Sequence, residues 1–277
     1  TVELSVLRRF LRNPVGTFFN ERLKIRFDEE EENEDLEPFD MGGLPSWQLR
    51  RRMIDTALEG RPLPRDVLMA EGVLPHGRIA DLVLDNAQQR IGPVLGNISD
   101  YAGRVPETAH VTVTLPDGTV VNGQVNAWYP GLGHLSVTPS KFKGQQLLLM
   151  WLDHLALCAS GRLESDEVSR LVTGDDRAQQ IPFVEQEQAV AELERLVRLY
   201  FEGLHRPLPV TRHGSYAMAK KQSSGLPEKG LEAAAACWSP DSDWNRDSDA
   251  TDVYLQAVIQ SGACPPHEAE EFCDMAW

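Results

Sequence analysis

A mixed α/β fold, with a core sheet flanked by helices and additional helices at both ends, is the class the sequence predicts. Three observations carry it. Between 111 and 137 apolar residues recur with period two and are punctuated by turn residues. Between 145 and 158 they recur at helical spacing, and helical periodicity dominates both flanks.

The meander comes first. Val111, Val113 and Leu115 alternate with Thr112 and Thr114, the pattern of a half-buried strand. Pro116-Asp117-Gly118 supplies turn chemistry, with Gly for positive φ. Val120, Val121 and Val125 resume the sheet, and Leu135 and Val137 give a third strand ending at Pro139. Leu148, Leu149, Trp151, Leu152, Leu155 and Ala156 then form the apolar face of a helix from Gln145 to Cys158, stopped by Ser160-Gly161. Residues 111–161 are the predicted core of a single domain over 1–277, with a helical part over 1–110 before it and another over 162–277 after it.

Upstream, 4–27 predicts an amphipathic helix running into a strand. Ser5 is the candidate N-cap, Leu7, Phe10 and Leu11 form the stripe, and a break at Asn13-Pro14 opens a second helix. Arg8, Arg9, Arg12, Arg22, Lys24 and Arg26 make this segment basic, either as a solvated face or as a phosphate-facing one. An acidic loop over 28–40 leads to a helix from Pro45 or Ser46 to Leu58, and Arg65–Glu71 predicts a short helix. A helix from Arg78 to Leu95 is expected to turn Ile79, Leu82, Val83 and Ile91 inward. Downstream, Glu167–Val172 reads as a short strand or helix and Ile181–Phe183 as extended chain. Helices are expected over Val184–Gly203, Ser215–Lys221, Leu231–Trp238, Asp252–Ile259 and Glu268–Ala276, with an acidic loop over 240–252.

The chain is long enough for a sizeable core, at 277 residues. Thr1 at the start, without methionine, reads as a piece excised from something longer. The sequence has no apolar run of about eighteen residues and no basic leader with a cleavage site, which makes the cytoplasm the default compartment and a membrane partner unexpected. The formal charge of -15 disfavours nonspecific coating of nucleic acid but permits a local basic face. Cysteines at 158, 237, 264 and 273 lack disulfide-framework spacing.

Several constellations bear on chemistry. Lys141 and Lys143 flank Phe142 between the third strand and the long helix; they fit phosphate contact with base stacking, or a solvated turn. Cys237, Cys264, His267 and Cys273 offer four zinc-type ligands at a spacing that matches no common knuckle. His154 follows Asp153 on the long helix, where neighbours point to different faces, so a core or interfacial histidine is expected rather than a relay. A Gly-rich phosphate loop followed by Lys-Ser/Thr is missing, which leaves nucleotide hydrolysis unsupported.

Four passages, in order, carry a family resemblance. They are Leu7-Arg8-Arg9-Phe10-Leu11-Arg12-Asn13-Pro14 with Phe18-Phe19 and Arg22-Leu23; Glu37-Pro38-Phe39 with Gly43-Leu44 and Gln48-Leu49; Leu74-Pro75 with Gly77; and Trp151-Leu152-Asp153-His154-Leu155 with Cys158-Ala159-Ser160-Gly161. Over 5–161 the chain resembles the C-terminal domain of the gamma subunit of exodeoxyribonuclease V (RecC), and more widely the RecB-like PD-(D/E)xK nucleases; beyond 161 the likeness is faint.

The resemblance implies a restriction-endonuclease-like core sheet and a lost catalytic centre. Active relatives carry a metal-binding aspartate three residues after a glycine; here Asn126 follows Gly123. Their aspartate–any–lysine triplet corresponds to Thr138, Pro139 and Ser140, Gln146 stands where they keep glutamine, and Met150 where they keep tyrosine. Asn13-Pro14 stands where iron–sulfur members have Cys-Pro. Asn, Thr and Ser cannot replace two carboxylates around a hard dication, and Gly118–Met150 contains no acid. The resemblance therefore implies a non-catalytic scaffold and DNA-handling domain acting in recombinational double-strand-break repair. Its partners would be RecB-like and RecD-like subunits and double-stranded and forked DNA, with ATP and Mg²⁺ held by those subunits and no cofactor of its own. Arg8, Arg9, Arg12, Lys141 and Lys143 are the candidate DNA-binding residues, and the Pro116–Gly118 turn is either a strand-splitting pin or an ordinary sheet turn. The alternatives are a divergent active exonuclease and a protein-interaction module without DNA contact.

Overall fold

The chain is described by a computed structural model covering residues 1–27, 43–63, 65–74, 78–238, 248–269 and 272. A six-stranded sheet lies between two helical layers. Strand β1 (Val2–Glu3) runs directly into α1 (Leu4–Arg12), and α2 (Pro14–Thr17) continues as a π-turn over Phe18–Leu23. The helices α3 (Gly43–Leu58), α4 (Arg65–Ala70) and α5 (Arg78–Asn97) precede the meander of β2 (Glu107–Thr114), β3 (Val120–Tyr129) and β4 (Gly133–Val137). Next come α6 (Gly144–Ala159), β5 (Val168–Thr173), β6 (Arg177–Pro182) and α7 (Gln186–Gly203), and then α8 (Gly214–Ser223), α9 (Gly230–Trp238) and α10 (Val253–Gln260).

Alternation along the strands divides the core. Ala109, Val111, Val113, Val121 and Val125 point to a layer made by α1, α6 and α7, where they meet Leu7, Phe10, Leu152, Leu155, Leu193 and Leu196. Tyr129, Leu135 and Val172 point the other way, against Leu49, Ile54, Leu68, Ala80, Ile91 and Val94 from α3, α4 and α5. That second layer covers only the β4–β5 side. The outer residues of β2, Thr108, His110, Thr112 and Thr114, stay exposed.

β3 is the branch point. Along one edge it pairs antiparallel with β2; along the other it pairs first with β1, in parallel at Val2↔Val121 and Glu3↔Asn122, and then with β4 at Trp128↔His134 and Tyr129↔Gly133. From there β4 leaves β3 to run parallel with β5, which pairs antiparallel with β6. Gly123 permits the β1–α1 junction to sit against β3: its φ is +158, and a Cβ there would lie 2.6 Å from that of fully buried Leu4.

The structure corrects several expectations. Glu3, in extended conformation and without a side-chain cap bond, precedes α1, so Ser5 does not cap it; β1 feeds the helix directly. Residues 24–27 form no strand: Lys24 closes the π-turn in the left-handed region, and Phe27 packs against Phe19 and Tyr254 instead of pairing along a sheet. In α5, Ile91 is buried and Val83 packs against the core as expected, but Ile79 and Leu82 are 53% and 69% exposed; the buried stripe is Ala80, Ala87, Ile91 and Val94. Helix α3 starts at Gly43, ahead of Ser46. The region 167–172, open between helix and strand, is strand. The acidic stretch 28–40, residues 240–247 of the second acidic loop and most of 268–276 lie outside the described residues; the described end of the second loop is a 3-10 turn at Asp249–Thr251.

Candidate functional site

The resemblance aims at the place where β3 and β4 part. After two paired positions the strands diverge, and a β-bulge in the β2–β3 ladder, between Glu107 and Ala109, falls opposite Asn126 and Ala127. Ala127 takes φ 54 there. Bulges of this kind re-aim a side chain and are common beside active sites. Asn126 is accordingly turned outward, where its Oδ1 accepts the Thr108 hydroxyl at 3.0 Å. It lies along a groove with Glu3, Ser5, Arg8, Asn122, Gly123 and Gln124.

Arg8 occupies the mouth of the fork. Its Nε donates to Asp153 on α6 at 2.8 Å, and its Nη2 donates to the carbonyl oxygen of Gln124 at 2.8 Å. That carbonyl belongs to the stretch of β3 between the β1 and β4 pairings, so the guanidinium closes a gap in the sheet edge. Burial raises the Asp153 carboxyl above its ordinary range, although Arg8 and Arg12 pull it down.

Behind the ion pair lies a buried polar row. His154 contacts Ser169 Oγ through Nδ1 at 2.9 Å and Cys158 Sγ through Nε2 at 3.5 Å. His134 on β4 is buried, and its Nδ1 has no hydrogen-bond partner. Burial lowers both histidines to about 4, with Arg8 and His154 adding to the effect at His134. Burial raises the Cys158 thiol. Asp153 and His154 point to different partners, so this row is no acid–base relay.

The remaining expected positions do not join that fork. Continuing the β3–β4 register would set Asn126 opposite Ser136. Thr138 donates its N–H to the carbonyl of Val172 at 3.0 Å, Ser140 Oγ accepts the Trp47 indole N–H at 3.1 Å, and Gln146 Oε1 accepts the Lys143 N–H at 3.0 Å. Among the described residues no group of three or more His, Cys, Asp or Glu is arranged to hold a metal ion. Cys273 lies outside the described residues, and His267 packs beside Trp238 at 5.9 Å.

The basic residues divide by what they touch. Arg8 is committed inward, and Arg9 is exposed and ion-paired with Glu21. Arg12 is exposed at the end of α1, where its carbonyl accepts the Gln145 side-chain amide at 2.7 Å. Lys141 is exposed and Lys143 half-buried ahead of α6. Phe142 between them is already engaged: its N–H donates to Asp175, its ring meets Tyr216 at 5.6 Å, and the Arg177 guanidinium lies over it at 5.3 Å. Sequence reasoning missed the passage 210–216 that leads into α8, where Arg212, His213 and Tyr216 line a cleft shared with Arg12 and Gln145. Nothing local signals that convergence, because the two segments lie some 200 positions apart. The hairpin turn is held by Asp117, which accepts from the Thr119 N–H at 2.8 Å and its hydroxyl at 3.0 Å, bonds that lower its carboxyl pKa.

Residues 1–223 match the sequence profile described as the RecC C-terminal domain, well beyond the 5–161 in which the resemblance was legible. The chain is 30% identical over 258 residues to the RecBCD enzyme subunit RecC of Escherichia coli K12, covering 91% of this chain and 21% of that protein. It is 28% identical over 243 residues to the RecC subunit of Mycobacterium tuberculosis, covering 86% and 22%, and 25% identical over 218 residues to that of Haemophilus influenzae, covering 73% and 18%. The chain thus spans about a fifth of the length of the curated relatives it matches. On the profile match and these relatives together, it belongs to the RecC C-terminal domain family.

Proposed function

We propose that this chain is a non-catalytic, DNA-handling and scaffold domain of a RecBCD-type helicase–nuclease, acting in recombinational repair of double-strand breaks. The fork between β3 and β4 carries the reading. The α1–β2–β3–β4–α6–β5 order fits a PD-(D/E)xK nuclease core, yet the groove along the fork is lined by Asn126, Ser5 and the Arg8 guanidinium, with Glu3 the one carboxylate among its lining residues rather than a converging set. A hard dication needs several anionic oxygen ligands, and Asp153, the carboxylate behind the groove, is already paired with Arg8.

On this reading the partners are RecB-like and RecD-like subunits and double-stranded or forked DNA. ATP and Mg²⁺ work in those subunits and not in this domain. The domain works in the cytoplasm; no described helix is long and apolar enough to cross a membrane. Lys141 and Lys143, at the start of α6, contact backbone phosphate, with Phe142 holding the turn in place rather than stacking on a base.

Two measurements test this. Labelled linear and forked DNA incubated with the protein and Mg²⁺ or Mn²⁺ should remain intact; cleavage abolished by altering Glu3 or Asp153 would restore the enzyme alternative. Lys141→Glu with Lys143→Glu should weaken forked-DNA binding by the assembled complex and flatten its salt dependence by about one for each phosphate that is no longer neutralised. Unchanged affinity and slope would favour a protein-interaction module.

A further inference from the structure

The sheet ends in two edge strands, β2 and β6, and they are finished differently. β6 carries Arg177 at one end and Pro182 at the other, so it meets an approaching strand with a charge and a missing donor. β2 has neither. From Thr108 to Thr114 it contains no Lys, Arg, Asp, Glu or Pro, and its bulge lies at its start. At 8 residues it is also long for an edge.

Hairpin geometry says which backbone groups of β2 are left over. The Leu115 N–H donates to the carbonyl of Thr119 at 2.8 Å, so these two residues face each other as a bonded pair. Bonded and non-bonded pairs alternate along an antiparallel ladder, which makes Val113↔Val121 and Val111↔Gly123 bonded pairs. The N–H and C=O groups of His110, Thr112 and Thr114 therefore turn away from β3, toward the open edge. Among the described residues no hydrogen bond takes them up. Their side chains are exposed, whereas Ala109, Val111 and Val113 are buried on the helical layer. Glu107 and Asp117, both exposed, stand at the two ends of this uncharged stretch.

We infer that the free edge of β2 docks an extended segment of another polypeptide in the assembly: a strand of alternating β-branched residues, uncharged in its middle and basic at both ends. Main-chain pairing supplies the affinity, and the two carboxylates select the partner. The inference rests on the scaffold half of the proposed function and needs no DNA contact. The same acids disfavour the nearer occupants. A second copy laid antiparallel, centred on Val111 or Thr112, would bring each Glu107 close to the Asp117 turn of the other, like charge against like. The stretches 28–40 and 239–247 of this chain are themselves net acidic and meet the same opposition.

The test reads residue-resolved hydrogen exchange in the full-length protein alone, with its partner subunits, and with two end-blocked peptides, KKTVTVTKK and EETVTVTEE. The His110, Thr112 and Thr114 amides should exchange freely in the protein alone, and several-fold more slowly with the subunits or the basic peptide. The acidic peptide should bind several-fold more weakly, and Glu107→Gln with Asp117→Asn should level that difference. Thr112→Pro removes an edge donor without touching a bond to β3, so it should fold and lose the basic peptide; the charge variant decides the matter if the proline variant does not fold. Edge amides that exchange equally fast with subunits and peptides overturn the inference, and subunits that still assemble then leave the scaffold reading standing on another face. Protection that grows with the concentration of the protein alone overturns it in favour of a second copy. Protection already present in the dilute protein alone overturns it in favour of this chain's own acidic stretches. If the subunits do not assemble with the protein at all, the scaffold reading itself fails.

Discussion

His134 and His154 are neutral in a core that leaves them little room to be anything else. Their folded pKa of about 4 lies below the 6.5 of an unfolded imidazole. Above pH 6.5 both states hold neutral rings and nothing is lost. As pH falls through 6.5 the unfolded chain takes up protons that the folded chain refuses, and stability drops until the folded rings protonate near 4. Two such rings give a slope of up to about 2.7 kcal/mol per pH unit inside that window. Asp153 acts with the opposite sign: a raised carboxyl protonates first in the folded state and restores some stability at the acid end. Urea unfolding at pH 7, 6 and 5 should show the fall, and a His134→Asn, His154→Gln protein should lose most of it. Equal slopes in the two proteins would assign the effect to surface carboxylates. The sequence showed two histidines amid apolar runs and nothing about their titration, since the partners Ser169 and Arg8 come from other elements.

The elements themselves were legible wherever a period ran uninterrupted. The meander, α6 and α7 stand where alternation or helical spacing placed them, because each carries a regularly spaced apolar face to bury. Reading failed where tertiary pairing decided. β1 is two residues long and exists because Gly123 lets α1 approach β3; α5 turns Ala80 and Ala87 inward with Ile91 and Val94, leaving Ile79 and Leu82 exposed. The ion pair joining α1 to α6 was equally invisible, though both members were named for other reasons. Its side chains are 25% and 17% exposed, so removing one partner strands a poorly hydrated charge. Arg8→Ala and Asp153→Ala should each cost about 2–3 kcal/mol, less than a fully buried pair would. The double variant should cost clearly less than the sum, by about 1 kcal/mol or more, in a denaturation double-mutant cycle. Additive costs would mean that the pair contributes geometry only.

Across the whole molecule the two ends of the described chain are stapled together. Asn13 caps α2 through its Oδ1 and donates its amide to Asp252; Tyr254 donates its hydroxyl to Asn20 and packs its ring against Phe19, while Val15 shares a core with Tyr254 and Leu255. The family profile stops at 223, yet these bonds reach residues beyond it. Ending the chain at 223 should therefore cost at least about 2 kcal/mol through stranded polar groups and uncovered apolar surface, measured by thermal or urea unfolding. Full stability in the shortened chain would make the last helices an appendage. Function was less legible at this scale than fold: the cleft lined by Arg12 and Arg212 exists only once distant segments are folded onto one another.

That staple has a consequence for birth as well as for stability. Asn13 and Asp252 are 239 positions apart, so at roughly 5–20 residues per second a ribosome needs on the order of 10–50 seconds to make the second after the first. Throughout that interval Val15 and Phe19, on α2 and the turn that continues it, wait without the cover that Tyr254 and Leu255 supply, dependent on temporary shelter until translation delivers it.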